Sequence, residues 1–330
     1  MIITKIVQNK NPIVTILMPA YNHERYISQA IESVLAQKTN YPYELLIHDD
    51  CSTDSTLAIA QNYTTKHPDK IKIFTEEENQ GLLKSYKRLI EQSNGKYLAI
   101  LESDDYWLDE NKLQIQIDFL ESNSDYGIVA GDIISIDENG NIIAPPSCIN
   151  THIRNTNRWY EKLLGNNGIY GACSVVFRKS DFLSYCDIGS WIENSFVTFD
   201  QPTWLSISFH KKCKYFAKTL AAYRIVSTSI SNNANKEKQL DFSVKIATLE
   251  EFIVSKYGYG NLSALDYNQK ICLDIAGRAL KRKQEKTFYD FCKKTKTHFY
   301  KAKIHALFSA FVLLAVYYKT LKYTKFSLYL

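Results

Sequence analysis

The chain has 330 residues, 45% of them hydrophobic, which is enough for one α/β domain of roughly 220 residues and an appendage. Its seven cysteines form no C-x-x-C pair and do not cluster with the histidines, so a structural zinc site is disfavoured. The first residues, Met1–Lys5, do not begin an apolar stretch as long as that of a signal peptide. Cysteines scattered through such a chain are expected to be reduced thiols, which predicts that the protein lies in the cytoplasm. The net charge of +5 hides a basic region, because Arg278 to Lys325 holds 13 lysines and arginines but two acids.

The first predicted strand is the apolar run from Ile13 to Met18, which ends in the turn Pro19-Ala20-Tyr21-Asn22. A helix is predicted next, because apolar residues between Tyr26 and Leu35 recur at a spacing of about four. This strand, turn and helix make up the first unit of an α/β fold.

A second strand is predicted from Tyr43 to His48, and it runs directly into Asp49 and Asp50. Ser52, Thr53 or Asp54 then offers an N-cap for a helix that begins near Ser55. The acidic pair therefore lies between the end of a strand and the start of a helix.

A third strand, Leu98 to Leu101, ends abruptly in the acids Glu102, Asp104 and Asp105. Clustered carboxylates repel each other and resist desolvation, and a divalent cation with oxygen ligands removes this conflict. Three strands thus alternate with helices and end in polar residues. In open α/β sheets ligands bind at that edge, so we expect a metal and a diphosphate there. A solvated turn after the strand is the alternative reading.

In this order the motifs resemble those of the family 2 glycosyltransferases, inverting enzymes whose GT-A fold binds nucleotide sugars. The resemblance covers roughly residues 12 to 230. It rests on Ile16–Asn22, Gln37, the acidic loop His48–Thr56, the turn Asn79-Gln80-Gly81, the acidic motif Glu102–Asp105 and the helix that includes Lys112-Leu113.

The resemblance implies a role for each matching residue. Asp50 would accept a hydrogen bond from the base, and Mn²⁺ or Mg²⁺ would be held by Asp104 and Asp105. The implied nucleotide-sugar site consists of Pro19, Tyr21, Asn22, Asp50, Asn79, Glu102 and Asp104.

Further along, Phe199-Asp200-Gln201-Pro202-Thr203-Trp204-Leu205 resembles the family's catalytic-base segment, which implies that Asp200 is the general base. The chain departs from the family at three places. Glu102 stands where Asp is more common, and Cys51 stands where Gly is more common. Val226 stands where many members carry His, which leaves the third metal ligand open.

The middle of the chain is harder to interpret. A strand is predicted over Gly127–Ile134, a hairpin turn at Asn139-Gly140 and a buried strand over Ala172–Phe177. In the family this half binds the acceptor. The aromatic residues there could stack on a sugar, although packing in the core is favoured for each of them: Trp159, Tyr160, Tyr170 and Trp191.

The polar stretch Ser227–Gln239 predicts a boundary between a GT-A domain at 1–230 and a helical, basic region at 231–330. Ile304–Tyr318 is apolar, flanked by lysines, and shorter than the ~20 residues that span a bilayer. This pattern favours a helix lying in the interface of an anionic membrane. A buried C-terminal helix and a solvated basic face are the alternatives, and nucleic-acid binding is disfavoured because no such motif is present.

The sequence therefore predicts a hexosyl- or N-acetylhexosaminyl-transferase. It would move a sugar, with inversion and with a divalent metal, from a nucleotide-diphosphate sugar (a UDP-sugar is favoured) to a glycan or lipid-linked acceptor. Bacterial polysaccharide synthesis in the cytoplasm, at the inner face of the cell membrane, fits this reading. Two alternatives stay open: a non-catalytic sugar-nucleotide-binding protein, and a nucleotidyltransferase, which would usually show a Gly-rich basic loop after the first strand.

Overall fold

The computed structural model describes residues 11–146, 153–154, 156–164, 169, 171–226 and 236–260. In these residues the chain forms one nine-stranded sheet flanked by helices. The strands are β1 (Val14–Ala20), β2 (Tyr43–Asp49), β3 (Ile71–Thr75), β4 (Tyr97–Ile100), β5 (Tyr106–Trp107), β6 (Tyr126–Ile136), β7 (Ile142–Ala144), β8 (Val176–Arg178) and β9 (Lys212–Arg224). The helices are α1 (Ile27–Leu35), α2 (Thr56–Lys66), α3 (Leu82–Gln92), α4 (Lys112–Ser122), α5 (Trp159–Leu163), α6 (Lys179–Tyr185), α7 (Ile188–Glu193), α8 (Asp200–His210) and α9 (Lys236–Tyr257).

The strand order is β3-β2-β1-β4-β8-β6-β9-β5, with β7 paired to β6. Strands β1 to β4 are parallel, and β8 is antiparallel to both β4 and β6. Because β6 and β9 are parallel to each other, both point the same way as β1 to β4. The carboxyl ends of six strands therefore meet at one edge of the sheet, where the sequence places its polar motifs.

Apolar side chains of the helices pack against both faces of the sheet and bury its strands. Helices α1, α2 and α4 cover one face, and α1 contributes the buried stripe Ile27, Ala30, Ile31 and Val34 predicted from the spacing. Helices α3 and α5 to α9 cover the other face. Every residue of β1 and β2 is buried, as expected for parallel strands covered on both sides. The expected α/β class, a mixed sheet between helices, is confirmed.

One predicted strand is wrong in part. Ala172–Ser174 forms a 3-10 turn, and only Val176–Arg178 is a strand. Gly171 has φ +77°, a left-handed conformation that interrupts an extended chain. The predicted hairpin is confirmed between β6 and β7, where Gly140 has φ +88°.

The aromatic candidates for sugar stacking lie in the core wherever the structure describes them. Trp159, Tyr160 and Trp191 are all buried, and Tyr170 is outside the described residues. The structure therefore favours the packing interpretation.

Helix α9 lies beyond the predicted boundary at residue 230, yet it packs on the same core. Leu249 and Ile253 are buried in the layer that also contains residues of α8, and Gln201 donates a hydrogen bond to Glu250 (2.7 Å). The Tyr257 hydroxyl donates to the Tyr185 carbonyl at 3.0 Å. The apolar segment 304–318 lies outside the described residues, and none of the helices that are described is long and apolar enough to cross a bilayer.

Candidate active site

The loops that follow β1 and β2 are bound to each other by reciprocal hydrogen bonds. The Asn22 backbone N–H donates to Ser52 Oγ (3.0 Å), and Asn22 Oδ1 accepts from the Thr53 N–H (2.8 Å). Two residues after Asn22, the Glu24 N–H donates to Asp54 Oδ2 (3.1 Å), and Glu24 Oε2 accepts from the Ser55 N–H (2.9 Å). Asn22 thus braces the two loops with its side chain.

Other members of the opening turn differ in exposure. Pro19 is buried within β1, whereas Tyr21 is 44% exposed at the carboxyl edge. Tyr21 therefore presents an aromatic ring where a ligand at this edge would lie.

Asp50 holds the turn before α3. Its carboxylate accepts hydrogen bonds from the backbone N–H groups of Gln80 (2.7 Å) and Gly81 (2.8 Å). The Asn79 amide donates to the Asp50 carbonyl at 3.1 Å. The structure therefore brings Asp50 and Asn79 together, and one lone pair of each Asp50 oxygen is already used by the backbone.

Glu102 lies in a crowded acidic environment. Burial raises its pKa to about 8, and the nearby carboxylates of Asp104 and Asp200 add to the rise. The Tyr86 hydroxyl donates a hydrogen bond to Glu102 Oε1 at 3.0 Å. Glu102, Asp104 and Asp200 therefore share one site, although Asp200 is distant from the other two in sequence.

Asp104 and Asp105 are adjacent but differ in their surroundings. The Asp104 side chain is 18% exposed, and its Oδ2 faces His23. Asp105 is buried, and its Oδ1 accepts the Arg224 backbone N–H at 2.7 Å. Burial raises the pKa of Asp105 well above its usual range, and Asp104 and Glu102 raise it further. Asp105 Oδ2 is buried without a geometrically defined hydrogen bond in the described part of the chain.

The 3-10 turn Ala172–Ser174 is joined to the segment that carries the acidic motif. The Trp107 indole donates to the Cys173 carbonyl at 2.8 Å, and the Cys173 side chain hydrogen-bonds to Asp105. The Lys112 ammonium lies 4.2 Å from the centre of the Trp107 ring, and burial lowers the pKa of Lys112 to about 7.

Arg224, at the end of β9, binds the backbone of the acidic motif. Its Nε donates to the Asp104 carbonyl (2.9 Å), and its other nitrogens donate to the carbonyls of Asp137 and Glu138 and to Gln29 Oε1. Arg224 thus bonds to backbone groups and to an amide and makes no ion pair with the carboxylates of the motif. It also joins the acidic motif to the β6–β7 hairpin.

The predicted base, Asp200, begins α8 beside the acidic motif. Its Oδ1 accepts the Gln201 N–H (2.7 Å) and the Thr198 hydroxyl. Desolvation raises the pKa of Asp200 to about 6. The preceding Phe199 stacks on Tyr86, with ring centroids 4.0 Å apart, and this contact anchors the start of α8 near Glu102.

The donor set fits a divalent cation that is also held by a diphosphate. No three His, Cys, Asp or Glu side chains converge as a ready cation cage in the described ranges. Mg²⁺-type ions, however, commonly use one or two carboxylates plus substrate phosphates. The partly exposed carboxylate of Asp104 and the buried Oδ2 of Asp105 provide such oxygens. Val226, at the place where the resemblance supplies His, is buried and offers no ligand atom.

Sequence reasoning missed Tyr86, Arg224 and His23 as parts of the site. In the sequence Tyr86 looks like an ordinary buried residue on the apolar face of α3. The residues next to Arg224 form no motif that would indicate a contact with the acidic motif. His23 directly follows the opening turn, and this adjacency is the one signal that pointed to it.

Comparison with known proteins agrees with this geometry. The family model described as "Glycosyl transferase family 2" matches residues 15–182. A putative teichuronic acid biosynthesis glycosyltransferase, TuaG of Bacillus subtilis, is 32% identical over 68% of this chain and 84% of its own length. The Escherichia coli glucosyltransferase WfgD, named for transfer from UDP-Glc to α-D-GlcNAc-diphosphoundecaprenol, is 30% identical over 70% of this chain and 85% of its own.

Solved structures support the fold. S. aureus TarS 1-349 in complex with UDP-GlcNAc has a TM-score of 0.56 at 18% identity, over 81% of this chain and 72% of that one. The mannosyltransferase PcManGT of Pyrobaculum calidifontis, solved with GDP-Man and Mn²⁺, has a TM-score of 0.51 at 14% identity, over 94% of this chain and 81% of that one. Together with the family match, these findings confirm the GT-A fold and the polysaccharide glycosyltransferase resemblance: the chain belongs to glycosyl transferase family 2 and is a glycosyltransferase.

Proposed function

We propose that this enzyme transfers a hexosyl or N-acetylhexosaminyl unit from a UDP-sugar to a hydroxyl group of a glycan or lipid-linked acceptor, with inversion and with Mn²⁺ or Mg²⁺. One observation carries the proposal. The carboxylates of Glu102, Asp104 and Asp200 share a site, and no guanidinium of the described residues forms an ion pair with them. Burial, together with repulsion from Asp104 and Asp200, raises the pKa of Glu102 to about 8. A divalent cation would offset the repulsion within such a cluster and could bind the oxygens of a diphosphate at the same time.

The donor would lie along the carboxyl edge of β1, β2 and β4. Asp50, already fixed by the turn at Gln80 and Gly81, has free lone pairs to accept a hydrogen bond from the base. Pro19, Tyr21, Asn22 and Asn79 would form the walls of the nucleotide pocket, and Glu102 would bind the ribose.

Asp104 would hold the divalent cation through its partly exposed carboxylate, with Asp105 contributing through its buried Oδ2. A bound cation neutralises the diphosphate so that it can leave. The chain's own contribution is to fix the Asp104 backbone through Arg224 and to keep the site partly dry.

Asp200 would take the proton from the acceptor hydroxyl as that oxygen attacks the anomeric carbon. Its pKa of about 6 leaves it ionised at neutral pH but more basic than an ordinary aspartate. Attack opposite the departing diphosphate inverts the anomeric centre. Asp187 caps α7 through Ser190, so it is already engaged in holding that helix.

A thermal-shift screen of nucleoside diphosphates, each with and without Mn²⁺, tests the donor class. Binding to the native state alone raises the melting temperature by mass action, so UDP with Mn²⁺ should give the largest shift. Transfer or hydrolysis assays with a panel of UDP- and GDP-sugars then test catalysis. Absence of any shift and of any turnover would contradict the proposal.

We also propose that the basic C-terminal region contacts an anionic membrane, which would bring the site close to a lipid-linked acceptor such as the one in the name of WfgD. The support is the lysine-flanked apolar run 304–318 in the sequence. The full chain should sediment with anionic liposomes at low salt and detach as salt rises, since each basic residue near the surface contributes about 1 kcal/mol. A full chain that ignores such vesicles at low salt would contradict the proposal.

A further inference from the structure

His23 lies at the acidic motif, although no part of the family resemblance assigns it a role. It follows the opening turn on the β1–α1 loop, and its side chain is 24% exposed. The His23 backbone N–H donates to Thr56 Oγ1 at 2.8 Å, so the loop that carries the ring is fixed to the start of α2. The imidazole therefore has a defined position at the rim of the site.

The ring is oriented by the acidic motif itself. His23 Nδ1 lies 2.7 Å from the hydroxyl of Ser103, which is fully buried between Glu102 and Asp104 in sequence. Histidines that bind metals almost always donate their other ring N–H to an oxygen, which fixes both the tautomer and the ring plane. Ser103 Oγ is positioned to accept that hydrogen bond from Nδ1 and to leave the Nε2 lone pair free.

The other ring nitrogen faces the proposed metal ligand. His23 Nε2 lies 3.9 Å from Asp104 Oδ2. That separation is long for a direct hydrogen bond. First-row divalent cations bind imidazole nitrogen and carboxylate oxygen at about 2.0–2.2 Å each, so a single ion fits between two such atoms at this distance.

The family's usual histidine position cannot supply this ligand here. Val226 occupies it and is buried. An imidazole is nevertheless present at Asp104, on the loop between β1 and α1.

We propose that His23 Nε2 is a ligand of the divalent cation held by Asp104, with Ser103 as the residue that orients the ring. This inference rests on the proposed metal-dependent function and adds the ligand that the sequence left open. Because affinity for a site with nitrogen and oxygen ligands rises from Mn²⁺ to Co²⁺, and because Mg²⁺ favours oxygen ligands, an imidazole ligand should make the site bind Co²⁺ more tightly than Mg²⁺.

Electron spin-echo spectroscopy of bound Mn²⁺ tests the ligand directly, independently of turnover. The full chain is loaded with Mn²⁺ and UDP and, in parallel, with Mn²⁺ and GDP. We expect a ¹⁴N coupling from a bound imidazole, its replacement by a ¹⁵N coupling when histidine is labelled, and its loss in His23→Ala and His23→Gln.

Calorimetry on the same samples gives the affinity. Loss of an outer partner of a metal ligand typically costs 10- to 100-fold, so His23→Ala should weaken Mn²⁺-dependent binding of the nucleotide by at least about tenfold, and Ser103→Ala by about tenfold. His67→Ala is the matched control, because His67 lies at the far end of α2 and should change neither readout.

The outcomes separate the two proposals. If the wild-type chain binds Mn²⁺ with neither nucleotide, the proposed metal-dependent function is wrong. If it binds but shows no ¹⁴N coupling, or keeps the coupling in His23→Gln, His23 is not a ligand and only this inference is overturned. If His23→Ala fails to fold, His23→Gln supplies the assignment, and absence of a ¹⁴N coupling from the wild-type spectrum overturns the inference whichever variants fold.

Discussion

Two halves of the molecule build their parts of the site in different ways: the half proposed to bind the donor (residues 14–107, the donor half) and the half proposed to bind the acceptor (residues 126–260, the acceptor half). In the donor half, Asp50 and Asp104 follow β2 and β4 almost directly. In the acceptor half, Asp200 reaches the same site from the first turn of a helix, through the stacking of Phe199 on Tyr86. The donor side depends on strand ends and backbone hydrogen bonds, and the acceptor side depends on packing between distant segments.

This difference has a consequence for how each half responds to mutation. The Asp104 carboxylate should be separable from the fold, because it is partly exposed and its ion-pair partner, His23, lies 3.9 Å away. The acceptor-side base should be sensitive to apolar contacts far from it in sequence. Four predictions test this contrast.

The largest effect is expected for Asp104→Ala. Removal of the partly exposed carboxylate should abolish Mn²⁺-dependent binding of UDP while the melting temperature of the free protein stays close to that of the wild type. Calorimetry with and without Mn²⁺ measures the binding. Asp125→Ala is the control, since Asp125 lies before β6 at the opposite edge of the sheet. Unchanged affinity for UDP with Mn²⁺ in Asp104→Ala would show that the metal ligand lies elsewhere.

Asp200→Asn should lower kcat by about 10²- to 10⁴-fold, the usual contribution of a positioned general base. The dissociation constant of the donor should barely change, because Asp200 acts on the acceptor. Steady-state kinetics and calorimetry separate the two quantities. Asp187→Asn is the matched control and should retain most of kcat. Transfer at the wild-type rate by Asp200→Asn would move the role of base to Asp187 or Glu193.

Two leucine truncations compare the packing of the halves. Leu46 in β2 and Leu249 in α9 are both fully buried in the same apolar layer. Leu46→Ala and Leu249→Ala should therefore each lower the free energy of unfolding by about 2–5 kcal/mol, measured by urea denaturation of the full chain. A cost well below 1 kcal/mol for Leu249→Ala would mean that α9 docks loosely and belongs to the C-terminal region.

The smallest effect is a pH dependence of the acceptor side. Asp200 acts as a base only when ionised, and its pKa is raised to about 6. We therefore expect kcat to be flat above that pH and to fall about tenfold per unit below it. The inflection should disappear from the residual activity of Asp200→Asn. A profile that stays flat down to pH 5 would contradict the assignment.

The same contrast explains what the sequence could predict. Strand ends are local features, so Asp50, Glu102 and Asp104 could be placed at one edge from alternating strands and helices. The pairing of Glu102 with Tyr86, and the hydrogen bonds from Arg224 to the Asp104 carbonyl and the β6–β7 hairpin, join residues with no shared local pattern. The strand predicted over Ala172–Phe177 was wrong over Ala172–Ser174, because the left-handed conformation of Gly171 cannot be inferred from the apolar run that follows it.

The reciprocal bonds between the first two loops matter for anyone who wishes to engineer this enzyme. The side chains of Asn22 and Glu24 on one loop accept hydrogen bonds from the backbone N–H groups of Thr53 and Ser55 on the other. In the reverse direction, the Ser52 hydroxyl on the second loop accepts the Asn22 N–H. Grafting either loop alone from a relative would leave several donors and acceptors without partners at the pocket's rim. Chimeras that aim to change the accepted nucleotide should exchange both loops as one cassette.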